Sequence, residues 1–345
     1  MYIGQVTRFS TRVGRAARWI APMLALVAAS AGPHRSPPTN YIYFGLERAR
    51  IRDSAFLNEP AIVGAQLKYK WPELEPERDH YVLGPLLADL AWLSQHGKRM
   101  FIQLQDVSFR VDSINVPEYI LSDPAFHGGV APQYADGDGP PVTEGWVARR
   151  WDPAVRGRFI RLINVLADSL DGRIAGITFP ETAIGVRSGD TWPAGFTPAG
   201  YASAIRDIMT AAGAAFRRSV VIEYANFMPG EELPDDDHGY LRSIYAHADS
   251  TGVGVGGPDL LPYRWFQRHN SLPLIAARAA GVPAGLAVQW GNLDDHDRRT
   301  GTQATVPYLY AYARDTLHLD YIFWGTQEPY YSRDILPFLH ARSVR

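Results

Sequence analysis

Cysteine is missing from all 345 residues of the chain. Its absence excludes a disulfide framework and a lipid-attachment thiol, so the folded part must be held by its core alone. A basic block is missing too, and Lys+Arg 34 against Asp+Glu 36 leaves a net charge of −2. Nothing in that balance calls for a nucleic-acid partner. No Gly-rich turn follows the first apolar strand, and the glycines around Gly254 lack the strand-turn-helix context of a dinucleotide fingerprint. The Gly-x-Ser-x-Gly elbow of a serine hydrolase is also absent. The apolar run Trp19 to Ala29 falls short of the ~20 residues a membrane span needs.

That run has another use. Arg8, Arg12, Arg15 and Arg18 precede it, and the small-residue step Ala29-Ser30-Ala31 follows it. Residues 1–31 therefore read as a secretory signal peptide, 32–40 as a linker and 41–345 as one folded unit, with an uncleaved anchor as the alternative. The expectation is a secreted or periplasmic protein with no stable membrane association once the signal is removed.

Aromatic residues are plentiful, with 18 Tyr and 9 Trp. They fill cores, and they also form flat platforms that suit sugar rings. Along the chain, short apolar runs alternate with helix-like segments. Strands are expected at Tyr41 to Leu46, Ala61 to Trp71, Met100 to Gln105, Ile174 to Phe179, Val220 to Phe227, Gly252 to Gly257, Gly285 to Asn292 and Tyr321 to Gly325. Helices are expected between most of them, among them Gly84 to His96 closed by Gly97, Pro153 to Leu170, and a long Ala-rich one opened by Thr197-Pro198. Eight strands with helices between them predict an α/β fold, a (β/α)8 TIM barrel in a single domain, rather than an open doubly wound sheet. Asp106 to Asp152 is too long for a routine connection, so it is expected to be a functional loop or small inserted subdomain that walls the pocket.

Arg173 to Glu181 carries the chemistry. An apolar strand ends there in a carboxylate at a Pro-Glu step, which is how a buried parallel strand delivers an acid to a barrel mouth. If alternation holds, Gln66, Lys68, Gln103, Gln105, Glu223 and Gln289 face the barrel interior, either as a structural hydrogen-bond network or as a polar, sugar-accepting floor. Trp71, Trp290 and Trp324 lie at or near strand ends where they could stack on pyranose faces, and Asn226 and Asn292 could bond hydroxyls. The runs Asp235-Asp236-Asp237-His238 and Asp294-Asp295-His296-Asp297 look metal-like but have ligands too close in sequence to converge. Asp136-Gly137-Asp138-Gly139 starts like a calcium loop without its later carboxylate. Neither metal nor cofactor is expected.

At Trp71-Pro72-Glu73-Leu74-Glu75-Pro76 the chain resembles the glycoside hydrolases of the (β/α)8-barrel clan A, whose second strand often runs into a W-x-x-x-E-P segment. The likeness continues with Gly97-Lys98 before strand three, a Glu ending strand four, and Trp324 in strand eight, and it spans most of residues 41–330. It implies a carbohydrate substrate and hydrolysis by paired carboxylates, with Glu181 at the acid/base position. Two departures stand out: Pro180 replaces the Asn that precedes that acid, and strand seven ends Gln289-Trp290-Gly291-Asn292-Leu293-Asp294 without the clan's Glu nucleophile.

Glycosidic cleavage needs two carboxyl groups flanking the bond. Glu181 is the expected general acid. For its partner, Glu328 at the end of strand eight ranks first and Glu223 in strand five second, with Asp294 or Asp295 behind them; Glu223 paired structurally with Lys68 is the competing account. The expected substrate contacts are Lys68, Trp71, Gln105, Asn226, Gln289, Trp290, Asn292 and Trp324. A catalytically silent sugar-binding barrel, or a polysaccharide lyase with Lys68 or a tyrosine abstracting a proton, are the alternatives.

Overall fold

A computed structural model describes residues 36–135, 140–188 and 191–343. The signal-peptide reading and the Asp136-Gly139 loop lie outside these residues. The strands, in chain order, are β1 (Thr39–Gly45), β2 (Ile62–Lys70), β3 (Arg99–Gln105), β4 (Val107–Ser108), β5 (Val130–Tyr134), β6 (Thr143–Ala148), β7 (Gly176–Thr178), β8 (Val220–Tyr224), β9 (Gly254–Gly257), β10 (Ala284–Val288) and β11 (Tyr321–Gly325). Eight of them pair in parallel and close in the order β1-β2-β3-β7-β8-β9-β10-β11. The expected single (β/α)8 barrel is the fold observed. Several helices start where the sequence caps them: the Asp152 carboxylate accepts the backbone N–H of Ala154 and Val155 at the head of Pro153–Leu170, and Thr197 does the same for Gly200 in Pro198–Ala215. Such caps satisfy donors that the first turn would otherwise leave unpaired. Among the described residues no helix is long and apolar enough to cross a membrane.

The centre of the barrel is filled by rings. Tyr41, Phe101, Ile222, Tyr224, Ala287 and Phe323 form one buried cluster, and Phe101 meets Tyr41 and Phe323 edge-on at centroid distances of 4.9 and 5.0 Å. Rings of this size leave room only where a neighbouring strand has no side chain. A Cβ on Gly176 would lie 2.3 Å from the Phe101 ring, and one on Gly285 would lie 2.9 Å from the Phe323 ring. The polar layer above is real but thin: Gln66 Nε2 donates to Thr178 Oγ1 and to Tyr224 Oη, both at 2.9 Å.

Alternation along β8 corrects one expectation. Ile222 and Tyr224 belong to the central cluster while Val221 belongs to the outer core, so Glu223 faces outward, toward the helix layer. The interior therefore lacks that carboxylate.

The long segment after β3 is an inserted subdomain. Within it β4, β6 and β5 form a three-stranded antiparallel sheet. Its two ends are joined beneath it, where the Arg150 guanidinium forms a two-pronged ion pair with the Asp106 carboxylate, Nε donating to Oδ2 at 2.7 Å. Both side chains are buried.

Candidate active site

Two Pro-acid steps build the site. β7 gives way to Phe179-Pro180-Glu181, and β9 to Pro258-Asp259. Proline has no N–H to give the ladder, so pairing stops there and the next residue is freed into the barrel mouth. Glu181 and Asp259 both line a cleft of about 1100 Å³.

Each acid is met by an asparagine from the end of the following barrel strand. Asn226, past β8, donates from Nδ2 to Glu181 Oε2 at 2.6 Å, and Asn292, past β10, donates from Nδ2 to Asp259 Oδ1 at 2.8 Å. The other half of each amide is pinned. Asn226 Oδ1 accepts the backbone N–H of Phe227 (3.0 Å) and Ala183 (3.3 Å), and Asn292 Oδ1 accepts those of Leu260 (2.9 Å) and Gln289 (3.2 Å). Backbone N–H groups only donate, so the oxygen side of each amide is settled by its partners. Both NH2 groups are thereby aimed at carboxylates.

Electrostatics separates the pair from surface acids. Burial pushes the Glu181 carboxyl from 4.5 up to about 7; the Asn226 hydrogen bond and the Lys68 charge pull the other way, while the charges of Asp259 and Glu144 add to the rise. At neutral pH the group is poised to give or take a proton. Burial also raises Asp259 above the usual carboxylate range, against the hydrogen bond from Asn292. The Asp259 charge acts on Glu181.

The walls come from four strand ends and the insertion. Phe109, Gln133 and Glu144 of the inserted subdomain line one part of the cleft, as that segment was expected to do. Trp290 lines another and is 54% exposed, so its ring is offered to whatever enters.

Of the residues singled out from sequence, Glu181, Asn226, Trp290 and Asn292 meet in this cleft. Lys68 stands beside them, close enough for its charge to act on Glu181. Gln289 sits just behind, its Nε2 donating to the Pro258 carbonyl at 2.9 Å and so bracing the step that carries Asp259.

The others lie elsewhere, each for a visible reason. Trp324 is on the outer face of β11, because Phe323 takes the interior; it is wholly buried and donates from Nε1 to Asn40 Oδ1 at 3.0 Å. Trp71 is also buried, its Nε1 donating to Glu75 Oε2 at 2.9 Å. Gln105 donates to the Val107 carbonyl at 2.8 Å and supports the insertion rather than the cleft. Glu328 is exposed and turned onto Ser332, whose Oγ donates to it at 2.6 Å. Glu223 faces the Arg150 and Asp106 pair instead of Lys68, and burial lifts it from 4.5 to about 8 against the pull of Arg150. Neither Glu328 nor Glu223 lines the cleft, so the partner expected opposite Glu181 is not one of them. Asp294 is held by Tyr330 and Gln327, and Asp295 by Arg264 at 2.8 Å.

Asp259 is the residue that sequence reasoning missed. Its signal was the repeat of the proline-then-acid step that marked Glu181. The metal-like runs are spent on other bonds: Asp237 pairs with Arg242 at 2.6 Å and Asp297 caps a turn at Arg299. No group of three potential ligands converges among the described residues.

No protein-family model matches the chain, and no curated protein sequence does. Solved structures match in fold. Endo-glycoceramidase II from Rhodococcus sp., as its lactosyl-enzyme intermediate, aligns with TM-score 0.51 and 10% identity over 86% of this chain and 74% of that one. A family 5 glycoside hydrolase from Streptomyces cattleya, in complex with Manβ1-4GlcNAc, aligns with TM-score 0.50 and 15% identity over 84% and 70%. A family 39 glycoside hydrolase from Bacteroides cellulosilyticus aligns with TM-score 0.50 and 9% identity over 85% and 56%. The chain has the barrel fold of these clan A enzymes, with no family within the clan resolved.

Proposed function

We propose that the chain is an exported glycoside hydrolase that cleaves a poly- or oligosaccharide, with Glu181 as general acid and Asp259 as the second carboxylate. The observation that carries this reading is the doubled arrangement of acid and orienting amide facing one cleft. A glycosidic bond placed between the two acids receives a proton from Glu181 on its departing oxygen, while Asp259 stabilises or attacks the positive anomeric centre, directly or through water. Asn226 and Asn292 hold the carboxylates at fixed angles, so little reorganisation is left for the moment of bond breaking. Trp290 offers a flat apolar face to a sugar ring.

The test uses leaving groups. Glu181→Gln should lose turnover of unactivated glycans, scored by reducing-end release, yet keep much of its activity on aryl glycosides whose phenol leaves without a proton. Asp259→Asn should lose both. Equal activity of parent and Glu181→Gln on an unactivated glycan overturns the assignment.

The absence of a carboxylate where β10 ends supports a second reading, a sugar-binding barrel without turnover. It predicts glycan binding with no new reducing ends. A lyase is disfavoured: lyase chemistry acts on uronates, and the cleft carries several carboxylates of its own.

A further inference from the structure

Among the described residues five carboxylates line the cleft, those of Glu144, Glu181, Glu231, Glu232 and Asp259, against one lining cation, Arg264, with Lys68 beside it acting on Glu181. Arg264 is already paired with the buried Asp295. Glu231 is used structurally, accepting the backbone N–H of Tyr240 and Leu241 at the head of the helix Tyr240–Thr251. Glu181 and Asp259 are the reacting pair. Glu144 and Glu232 remain, and among the described residues neither has an ion-pair partner. Glu144 has only a long contact, 3.4 Å, from Gln133 Nε2.

Gln133 supplies a second and independent observation. It lines the same cleft, is 1% exposed, and among the described residues its carbonyl Oε1 has no hydrogen-bond partner. A buried acceptor without a donor is costly and rare in a folded protein. The neighbouring group is an unpaired carboxylate, which is also an acceptor. A ligand that satisfies both must bring several donors and, best, a positive charge. A sugar hydroxyl brings one donor; an ammonium group brings three and the charge.

Building on the hydrolase reading of the same cleft, we propose that it selects a glycan bearing free amino sugars, whose ammonium group seats between the Glu144 carboxylate and the Gln133 carbonyl of the inserted sheet. Glu144 and Glu181 line the same cleft, so the amine-bearing ring and the bond being cut belong to one bound glycan. Trp290 takes the apolar face of a ring, and Glu232 extends the negative field toward the rim. A uronate would meet repulsion at the same place.

Binding can be measured without turnover by titrating Glu181→Gln with β1-4-linked tetramers of glucosamine, N-acetylglucosamine, glucose and glucuronate. The glucosamine tetramer should bind at least about 10-fold more tightly than the glucose tetramer at low salt, an advantage that shrinks as salt screens the charges. Adding Glu144→Gln in that background should remove most of the advantage, and the glucuronate tetramer should bind weakest. The inference is overturned if the glucosamine tetramer binds no more tightly than the glucose tetramer, or if its advantage survives Glu144→Gln. Selective binding of the amino sugar in this background, with no cleavage of any tetramer by the parent, supports the inference and removes the hydrolase reading. Cleavage by the parent without selective binding does the reverse.

Discussion

Two carboxylates on adjacent barrel strands share an electrostatic signature and nothing else. Glu181 follows β7 at the mouth and is raised to about 7; Glu223 lies inside β8, faces the helix layer, and is raised to about 8. Burial is the leading cause for both. Glu181 opens onto a cleft with an amide aimed at it and another acid nearby, whereas Glu223 is 1% exposed beside the buried Asp106 and Arg150 pair and has one oxygen with no partner. A perturbed acid marks low dielectric. Only access and a second reacting group turn it into a candidate for chemistry.

The largest expected contrast is in turnover. Glu181→Gln should reduce kcat on an unactivated glycan by about 10²–10⁴-fold, the usual contribution of a general acid, while Glu223→Gln should stay within a few-fold of the parent. Comparable losses for both would erase the distinction. The two tryptophans provide the next contrast. Trp324→Ala should destabilise the protein by about 3–5 kcal/mol in chemical denaturation, as expected for removing a large core ring. Trp290→Ala should leave the unfolding midpoint nearly unchanged and raise KM instead.

Stability against pH separates the acids in a third way. Folded Glu223 keeps its proton up to about 8, whereas the unfolded chain releases it near 4.5. The unfolded state therefore binds fewer protons across that window, and the stability contributed by this group is full below about 4.5 and lost as pH rises through about 8. Glu223→Gln should accordingly raise Tm relative to the parent by several degrees at pH 8 and by little at pH 5, read by calorimetry. The smallest effect concerns the orienting amides. With Glu181 as the proposed general acid, kcat/KM should fall as pH climbs past about 7; Asn226→Ala removes a bond that favours the charged form and should move that limb to higher pH. An unmoved limb would mean that Asn226 does not tune the acid.

Much of this was legible in the sequence, and the misses have physical causes. The apolar runs gave all eight barrel strands, and the Pro-Glu step marked Glu181, which lines the cleft. The ends of the later strands were drawn too long, since β8 stops at Tyr224 and β10 at Val288, leaving Asn226, Trp290 and Asn292 in loops at the mouth. Direction was harder than position. In Tyr-Ile-Phe-Trp-Gly of β11 either aromatic register could face inward, and glycines on other strands, such as Gly176 and Gly285, decide that the room goes to Phe101 and Phe323. In β8 the assumption that polar residues share the interior reversed the wall, because no sequence rule foretold Arg150 arriving from another segment to face Glu223. Glu328 failed for a local reason: Ser332, four residues on, already takes its carboxylate. Asp259 stood in plain view, but its strand of glycines gave little apolar signal to draw attention to the acid that follows.

The Asp106 and Arg150 clasp gives the molecule a modular seam. The chain between those residues leaves the barrel and returns to it at that ion pair, while Glu181 and Asp259 belong to other strand ends. A lineage could lengthen, shorten or exchange that cassette, and with it Phe109, Gln133 and Glu144 on the cleft wall, while the barrel keeps its own strand ends.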